Sequence, residues 1–198
     1  MSFMPTTVPK PASNALPNMP RKCTFPATID RVRSDTLNNM PDGGFDKTDR
    51  AILTILQREG RLANVELAER VSLSPSSCLR RTKALEAAGM IAGYRADLDR
   101  QRLGLGLTVF ISLRVDQHSR ATSRVVEESI TAIPAVVACH VISGQADFLV
   151  EAVVPDLAAY ESLLLDHVLA IDAVIDARST FAIRTVLSRG PLPVDTVR

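Results

Sequence analysis

The sequence predicts an α+β protein: three short helices with a turn and wing come first, then a β-α-β-β-α-β unit. Three observations carry that reading. Between residues 46 and 91, apolar residues recur at three- and four-residue spacing, and the segments are punctuated by helix caps. From residue 107 onward, short β-branched runs alternate with two amphipathic helical stretches. Residues 1–45 hold seven of the twelve prolines and no sustained apolar period, so they read as a disordered tail.

The first helix is expected over 47–58. Ile52, Ile55 and Leu56 repeat at helical spacing with Leu53 beside them, Asp46 and Asp49 suit the positive end of the helix dipole, and Gly60 stops it. The second runs from Asn64, a good N-cap, to about Val71, with Leu67, Ala68 and Val71 as its inward stripe. A tight "SLS" turn leads to the third helix, in which Ser74 is the N-cap, Pro75 occupies the first helical position and Gly89 is the expected stop. At 100° per residue, Cys78, Thr82 and Leu85 share the inward face. Ser76, Arg80 and Lys83 point the opposite way with Leu79 beside them, and Arg81 lies on the flank. Three short helices with a tight turn before the last fit a helix-turn-helix. "MIAGYRADLD" alternates as a short hairpin would, giving a wing. The first unit therefore spans 46–99, and 100–106 is a linker.

The second unit spans 107–187. Strands are expected at 107–115, 135–143, 148–154 and 173–187. A helix capped by Ser119 runs over 119–133, with Val125, Val126, Ser129 and Ile130 inward, and Pro134 stops it. Another begins at Pro155–Asp156, with Leu157, Tyr160, Leu163, Leu164 and Val168 at helical spacing. This order is the split β-α-β, or ferredoxin-like, arrangement, with helices on one face of the sheet. Val109, Ile111, Val137 and Val141 are expected on the other face, which then needs a second subunit to cover it. Residues 188–198 form a C-terminal tail.

Bulk properties narrow the function classes. No apolar run reaches the ~20 residues that span a bilayer, and no secretory signal is present. A transit peptide would need an amphipathic helix, which six prolines by position 26 forbid; Met40 is a second candidate initiator. Cys23, Cys78 and Cys139 are odd in number and far apart, which argues for a reducing compartment and against disulfides or zinc. Cys78, on the inward helical face, reads as a small core residue. His118, His140 and His167 are scattered, so no metal is expected. No catalytic constellation and no phosphate-binding glycine pattern is present. Net charge is +1, and residues 46–99 carry nine Lys or Arg against eight Asp or Glu. A DNA partner therefore requires cations focused locally, as Arg80, Arg81 and Lys83 are.

From about Phe45 to Leu187 the chain resembles the Lrp/AsnC family of bacterial transcription regulators, the leucine-responsive or feast-famine proteins. "FDKTDRAILTILQREGRLANVELAERVSLSPSSCLRRTKALEAAGMIAGYRADLD" resembles that family's winged helix-turn-helix, and "CHVISGQADFLVEAVVPDLAAYESLL" its ligand-sensing half. The resemblance implies a cytoplasmic, nucleoid-associated regulator that binds double-stranded DNA, forms dimers that assemble to tetramers or octamers, and responds to an amino-acid effector. It places Ser76, Ser77, Arg80 and Lys83 at the major groove and Arg81 and Arg95 near phosphates. Arg offers guanine a bidentate fork, and Ser and Lys reach base edges or phosphates. It places the effector near Gly144, Gln145, Ala146 and Asp147 and the facing strand around Ser179 and Thr180. There Asp147 would hold an α-ammonium group, and N–H groups of the Gly144 turn a carboxylate. The chain departs from the family at Gln145 and Phe148, where an acid and a tyrosine are frequent, and at Asp172-Ala173, where Pro-Gly is frequent. One alternative on the same architecture is a tetrapyrrole (sirohaem-type) decarboxylase, which requires grouped His and Arg. A DNA-wrapping chromatin protein is another, and the merely local basic charge disfavours it as a sole role.

Overall fold

The computed structural model describes residues 45–116 and 119–196. The expectations for the tail before Phe45, for Met40, Cys23 and His118 lie outside these residues. Helix α1 (Lys47–Leu56) opens with a capping box built from two aspartates. Asp46 Oδ1 accepts from the N–H groups of Thr48 (2.8 Å) and Asp49 (2.9 Å), and Asp49 Oδ2 accepts from the Asp46 N–H at 3.3 Å. The helix ends at Leu56, capped by Gln57, earlier than the expected 58. Gly60 is not its stop: it keeps an ordinary φ and borders Tyr94.

Helix α2 (Asn64–Arg70) is capped by Ala63 with no side-chain bond. Asn64, expected as the cap, instead sits inside the helix, and its Nδ2 donates to the Pro75 carbonyl at 2.8 Å, bracing the turn. The turn closes as a Schellman motif: Leu73 N–H reaches Ala68 O (2.9 Å) and Ser72 N–H reaches Glu69 O (3.2 Å). This forces Ser72 to φ +55°, a region that glycine enters with less strain. Helix α3 (Pro75–Ala87) ends in the same motif, here with a glycine, Gly89, at φ +72°. Met90 N–H reaches Leu85 O, and Gly89 N–H reaches Glu86 O. Ile52, Cys78 and Leu85, all fully buried, join Leu56, Leu67 and Ala68 to make the core of this three-helix unit.

The expected wing hairpin does not form. Residues 92–99 form no helix and no strand pairing, and Tyr94 and Leu98 stay about half exposed or more. A two-residue alternation that finds no partner sheet is too weak to close an isolated hairpin. Residues 100–104 coil into a turn started by Asp99, whose Oδ1 accepts from the N–H groups of Gln101 and Arg102. Arg100 then folds back on the sheet, with Nη1 2.8 Å from Glu151 Oε1.

The second unit is a four-stranded antiparallel sheet, ordered β2-β3-β1-β4, from β1 (Leu107–Val115), β2 (Val136–Val141), β3 (Phe148–Val154) and β4 (Val174–Phe181). Strand β4 is shorter than the expected 173–187, because beyond Ala182 its backbone leaves the β1 ladder. Helix α4 (Arg120–Thr131), capped by Ser119, turns Val126 and Ile130 to the sheet. Val125, expected inward, is 56% exposed, since 100° per residue swings it off the Val126–Ile130 line.

Helix α5 (Leu157–Ser162), capped by Asp156, widens into a π-helical stretch, Leu163–Val168. A five-residue turn brings Leu163 and Val168 to one side, and both are buried; Leu157, by contrast, is exposed. The two helical segments cover the face carrying Val109, Ile111, Leu113, Val115, Phe148, Val150 and Ala152. Val109 and Ile111 are thus on the helix-covered face, contrary to expectation: they share strand parity with Leu113 and Val115, and α4 and α5 pack on that side. Val141 pairs with Phe148 and shares that face at the sheet's edge. The opposite face is more mixed than expected, carrying Phe110, Ser112, Arg114, Leu149 and Glu151.

Candidate functional site

Helix α3 presents the side chains the sequence singled out. Ser74, at its N-cap, accepts from the Ser77 N–H at 3.3 Å, and its hydroxyl lies 3.2 Å from Ser76 Oγ and 3.0 Å from Ser77 Oγ. A cluster of hydroxyls therefore sits at the positive end of the helix. Below it, Ser76, Leu79, Arg80 and Lys83 form one exposed face, and Cys78 and Leu85 are fully buried on the opposite one. Among the described residues, neither Arg80 nor Lys83 forms an ion pair. Two long cations thus project from a face whose orientation is fixed by the buried side, which is the geometry that lets a helix offer guanidinium and ammonium groups to base edges and phosphates.

Arg81 is different. Its Nη1 lies 2.8 Å from Asp46 Oδ2 and 2.9 Å from Asp49 Oδ1. Asp49 is 2% exposed, so this guanidinium neutralises a buried carboxylate and clamps α3 to the start of α1. The hydrogen bond to Asp49 and that to Asp46 raise the Arg81 pKa. Asp46 is held below its ordinary value, first by the Asp49 N–H and also by Arg81. Sequence spacing gave no hint of this clamp, because its partners lie 32 residues or more apart. At the other end of α3, Tyr94 Oη donates to Glu86 Oε1 at 3.0 Å. Burial, with Glu86 adding to it, pushes the Tyr94 phenol up to about 12. Arg95 lies on the same segment and lines a groove of about 760 Å³ between that segment, the open sheet face and residues 182–189. Arg184 and Arg189, which the sequence reading did not single out, border the same groove.

The expected effector residues fall in two places. Gly144 has φ +128°, which glycine tolerates, and a Cβ there would meet nothing within 4 Å, so the requirement is conformational. Gln145 and Ala146 complete the turn. Asp147 staples the strand ends: its Oδ2 accepts from the Val115 N–H at 2.9 Å, its N–H donates to Leu113 O, and its carbonyl accepts from Ile142 N–H. Ser179 and Thr180 are on β4, beyond β1, and pair with Ile111 and Phe110. They face opposite sides of the sheet, and β1 separates them from the turn. One chain alone does not bring the two groups together. Among the described residues no cluster of three His, Cys, Asp or Glu could hold a metal; His140 and His167 are exposed and on separate elements. No described helix is long and apolar enough to cross a membrane.

Comparison with known proteins gives two family matches. Residues 45–92 match a winged helix-turn-helix DNA-binding domain, and residues 108–192 match the Lrp/AsnC ligand binding domain. The leucine-responsive regulatory protein of Escherichia coli K12 is 35% identical over 156 residues, covering 79% of this chain and 95% of that protein. A transcriptional regulator from Neisseria meningitidis, crystallised as an L-methionine complex, is 39% identical with a TM-score of 0.72, over 76% of this chain and 97% of the other. An AsnC family transcriptional regulator from Agrobacterium tumefaciens is 36% identical at the same TM-score and coverage. These relatives lend nothing to the tetrapyrrole decarboxylase alternative.

Proposed function

Because this chain belongs to the Lrp/AsnC family of DNA-binding transcription regulators, we propose that α3 enters the major groove of its operator with Ser76, Ser77, Leu79, Arg80 and Lys83 toward the bases. In this reading residues 46–99 are the DNA-binding unit and 107–187 the effector-sensing unit. The observation that supports it is the pair Arg80 and Lys83, exposed on the face opposite Cys78 and Leu85 and without ion pairs among the described residues. Arg95 reaches phosphates from the segment following α3. Arg81, clamped to Asp46 and Asp49, serves by fixing the angle at which α3 meets the duplex.

One monomer offers few cations, so binding at physiological salt requires at least a dimer on two half-sites. The effector is an amino acid, the class carried by the Neisseria relative. It binds between subunits: the turn Gly144–Asp147 of one chain meets β4 of another around Thr180, since β1 keeps the two apart within one chain and the Ser179 hydroxyl is buried on the helix-covered side of β4. The effector shifts the balance among assemblies and thereby the half-site spacings that can be occupied. The setting is the cytoplasm, on the nucleoid.

A gel shift on the chain's own upstream DNA, at 150 mM salt with and without L-methionine, L-leucine and the remaining amino acids in pools, tests both halves. Retention that survives excess random DNA, and that changes with at least one pool, is expected. Equal retention of random DNA overturns the operator reading, and indifference to every pool overturns the effector reading.

A further inference from the structure

Helix α1 has a second partner besides the core of its own unit. Its inward residues Ile52 and Leu56 are buried against α2 and α3. The outward line is Lys47, Arg50, Thr54 and Gln57, spaced at helical intervals. That line is where the end of the chain returns. Gln57 grips the backbone of Leu192 from both sides: Leu192 N–H donates to Gln57 Oε1 at 2.7 Å, and Gln57 Nε2 donates to Leu192 O at 3.1 Å. Leu192 stands between Pro191 and Pro193, so its amide is the single N–H donor of that triplet, and Gln57 takes it.

A 3₁₀ turn, Val194–Thr196, follows. It is closed by Thr196 Oγ1 donating to Pro193 O at 2.8 Å, and it lies against α1. Asp195 borders the same shallow groove as the cations Lys47 and Arg50, with Ala51, Thr54 and Ile55 as its floor. The hydroxyl of Thr54 is buried there, although it is on the side of α1 away from the helical core. Flanking prolines restrict the segment before it docks, so little chain freedom is lost on docking.

We infer that residues 190–196 are a strap that ties the end of the sheet unit to the outer face of α1 and, through α1, sets the direction of α3. The path is continuous. The strap leaves the sheet after β4, grips Gln57 on α1, and α1 holds α3 through Asp46 and Asp49 on Arg81. The segment 92–99, which has no strand pairing, carries the covalent connection from α3 toward the sheet unit. A change in how sheet units associate therefore has a route to α3 that bypasses that segment. The steering rests on the reading of α3 as the DNA-contacting helix; the strap itself does not.

The test compares the full chain with Gln57→Ala, with Gln57→Glu, which keeps the acceptor for Leu192 N–H and loses the donor, and with a chain ended after Arg189. The first readout is the rate of limited proteolysis within residues 92–99. Gln57→Ala and the shortened chain are expected to be cut at least threefold faster, with Gln57→Glu between them and the full chain. The core of the sheet unit contains no residue of the strap, so its thermal unfolding is expected to stay unchanged and reports that the variants fold. The second readout uses a duplex selected by the full chain from a random pool, and the same duplex with five base pairs inserted between half-sites. The affinity penalty of the insertion is expected to fall at least threefold when the strap is cut. Equal proteolysis in all four proteins overturns the strap. Faster proteolysis with an unchanged insertion penalty overturns the steering. A full chain that selects no DNA overturns the proposed function and the steering with it, and proteolysis still decides the strap.

Discussion

Arg80 and Arg81 are adjacent in sequence, and replacing each should have opposite consequences. In Arg81→Met the aliphatic stem is kept and the guanidinium removed. Asp49, 2% exposed, then keeps only the 3.3 Å bond from the Asp46 N–H among the described residues. Leaving a fully buried carboxylate unpaired costs about 3–5 kcal/mol. Arg81 itself is 35% exposed, so water reaches the pair and the cost falls to about 2–3 kcal/mol after discounting for screening. That is roughly a 30- to 150-fold loss in the folding equilibrium. A three-helix unit of this size has about 3–5 kcal/mol in total, so the substitution removes roughly two-fifths or more of it.

Arg80→Ala removes an exposed cation that has no ion pair among the described residues and should shift stability by less than about 0.5 kcal/mol. Its operator affinity should fall by about 1–3 kcal/mol, roughly 5- to 150-fold. Urea unfolding followed by helical circular dichroism gives the first quantity. Fluorescence anisotropy on labelled operator, under conditions where each variant is fully folded, gives the second. If Arg81→Met unfolds at the wild-type midpoint, the clamp is not what holds α3. If Arg80→Ala binds operator as tightly as wild type, the outward face is not the reading face.

Other expectations follow from single positions. Ser72→Gly relieves the positive φ at the turn before α3 and should raise stability by about 0.5–1 kcal/mol, seen as a higher urea midpoint. Because the Asp46 carboxyl is held below its ordinary 3.8, its contribution is fully present above that value and is lost as the pH falls through the lowered one. Thermal stability should therefore be level from pH 7 to 5 as far as this group is concerned, and the drop below about pH 4 should be shallower in Asp46→Asn. Lys83→Gln should reduce the slope of log affinity against log salt by about 1 per subunit, measured by anisotropy from low to high salt. Asp147→Ala leaves the Val115 N–H without its acceptor and should lower the sheet unit's stability by about 1–3 kcal/mol in a thermal melt, effector or none.

The helices around the turn were legible because their signals are local. A serine cap, a proline at the first position and a glycine at the stop define α3 within the sixteen residues 74–89. Its inward and outward faces follow from periodicity alone, so Cys78 and Arg80 were placed correctly. The strands β1 and β3 were legible as β-branched runs of the right length. What failed was non-local. Which face of the sheet receives Val109 and Ile111 depends on where α4 and α5 cross, and no single-strand pattern contains that. The hairpin expected over 90–99 failed for the same reason, since alternation describes a strand but does not supply its partner. Asn64 was misplaced by one position because its amide was wanted by Pro75, eleven residues on. In the candidate site, the outward cations of α3 were visible in advance. The Asp46–Arg81–Asp49 clamp and the Gln57 grip on Leu192 were not, since each joins residues far apart in the chain.

The placement of β1 between the Gly144–Asp147 turn and Ser179–Thr180 has a consequence for how any ligand titrates. A cavity walled by two copies exists only as often as those copies meet, so apparent affinity in the proposed arrangement weakens as the protein solution is diluted. Calorimetry at two protein concentrations a hundredfold apart should then return two different constants for one amino acid. In that proposed arrangement, abundance of the regulator becomes a second input alongside nutrient level.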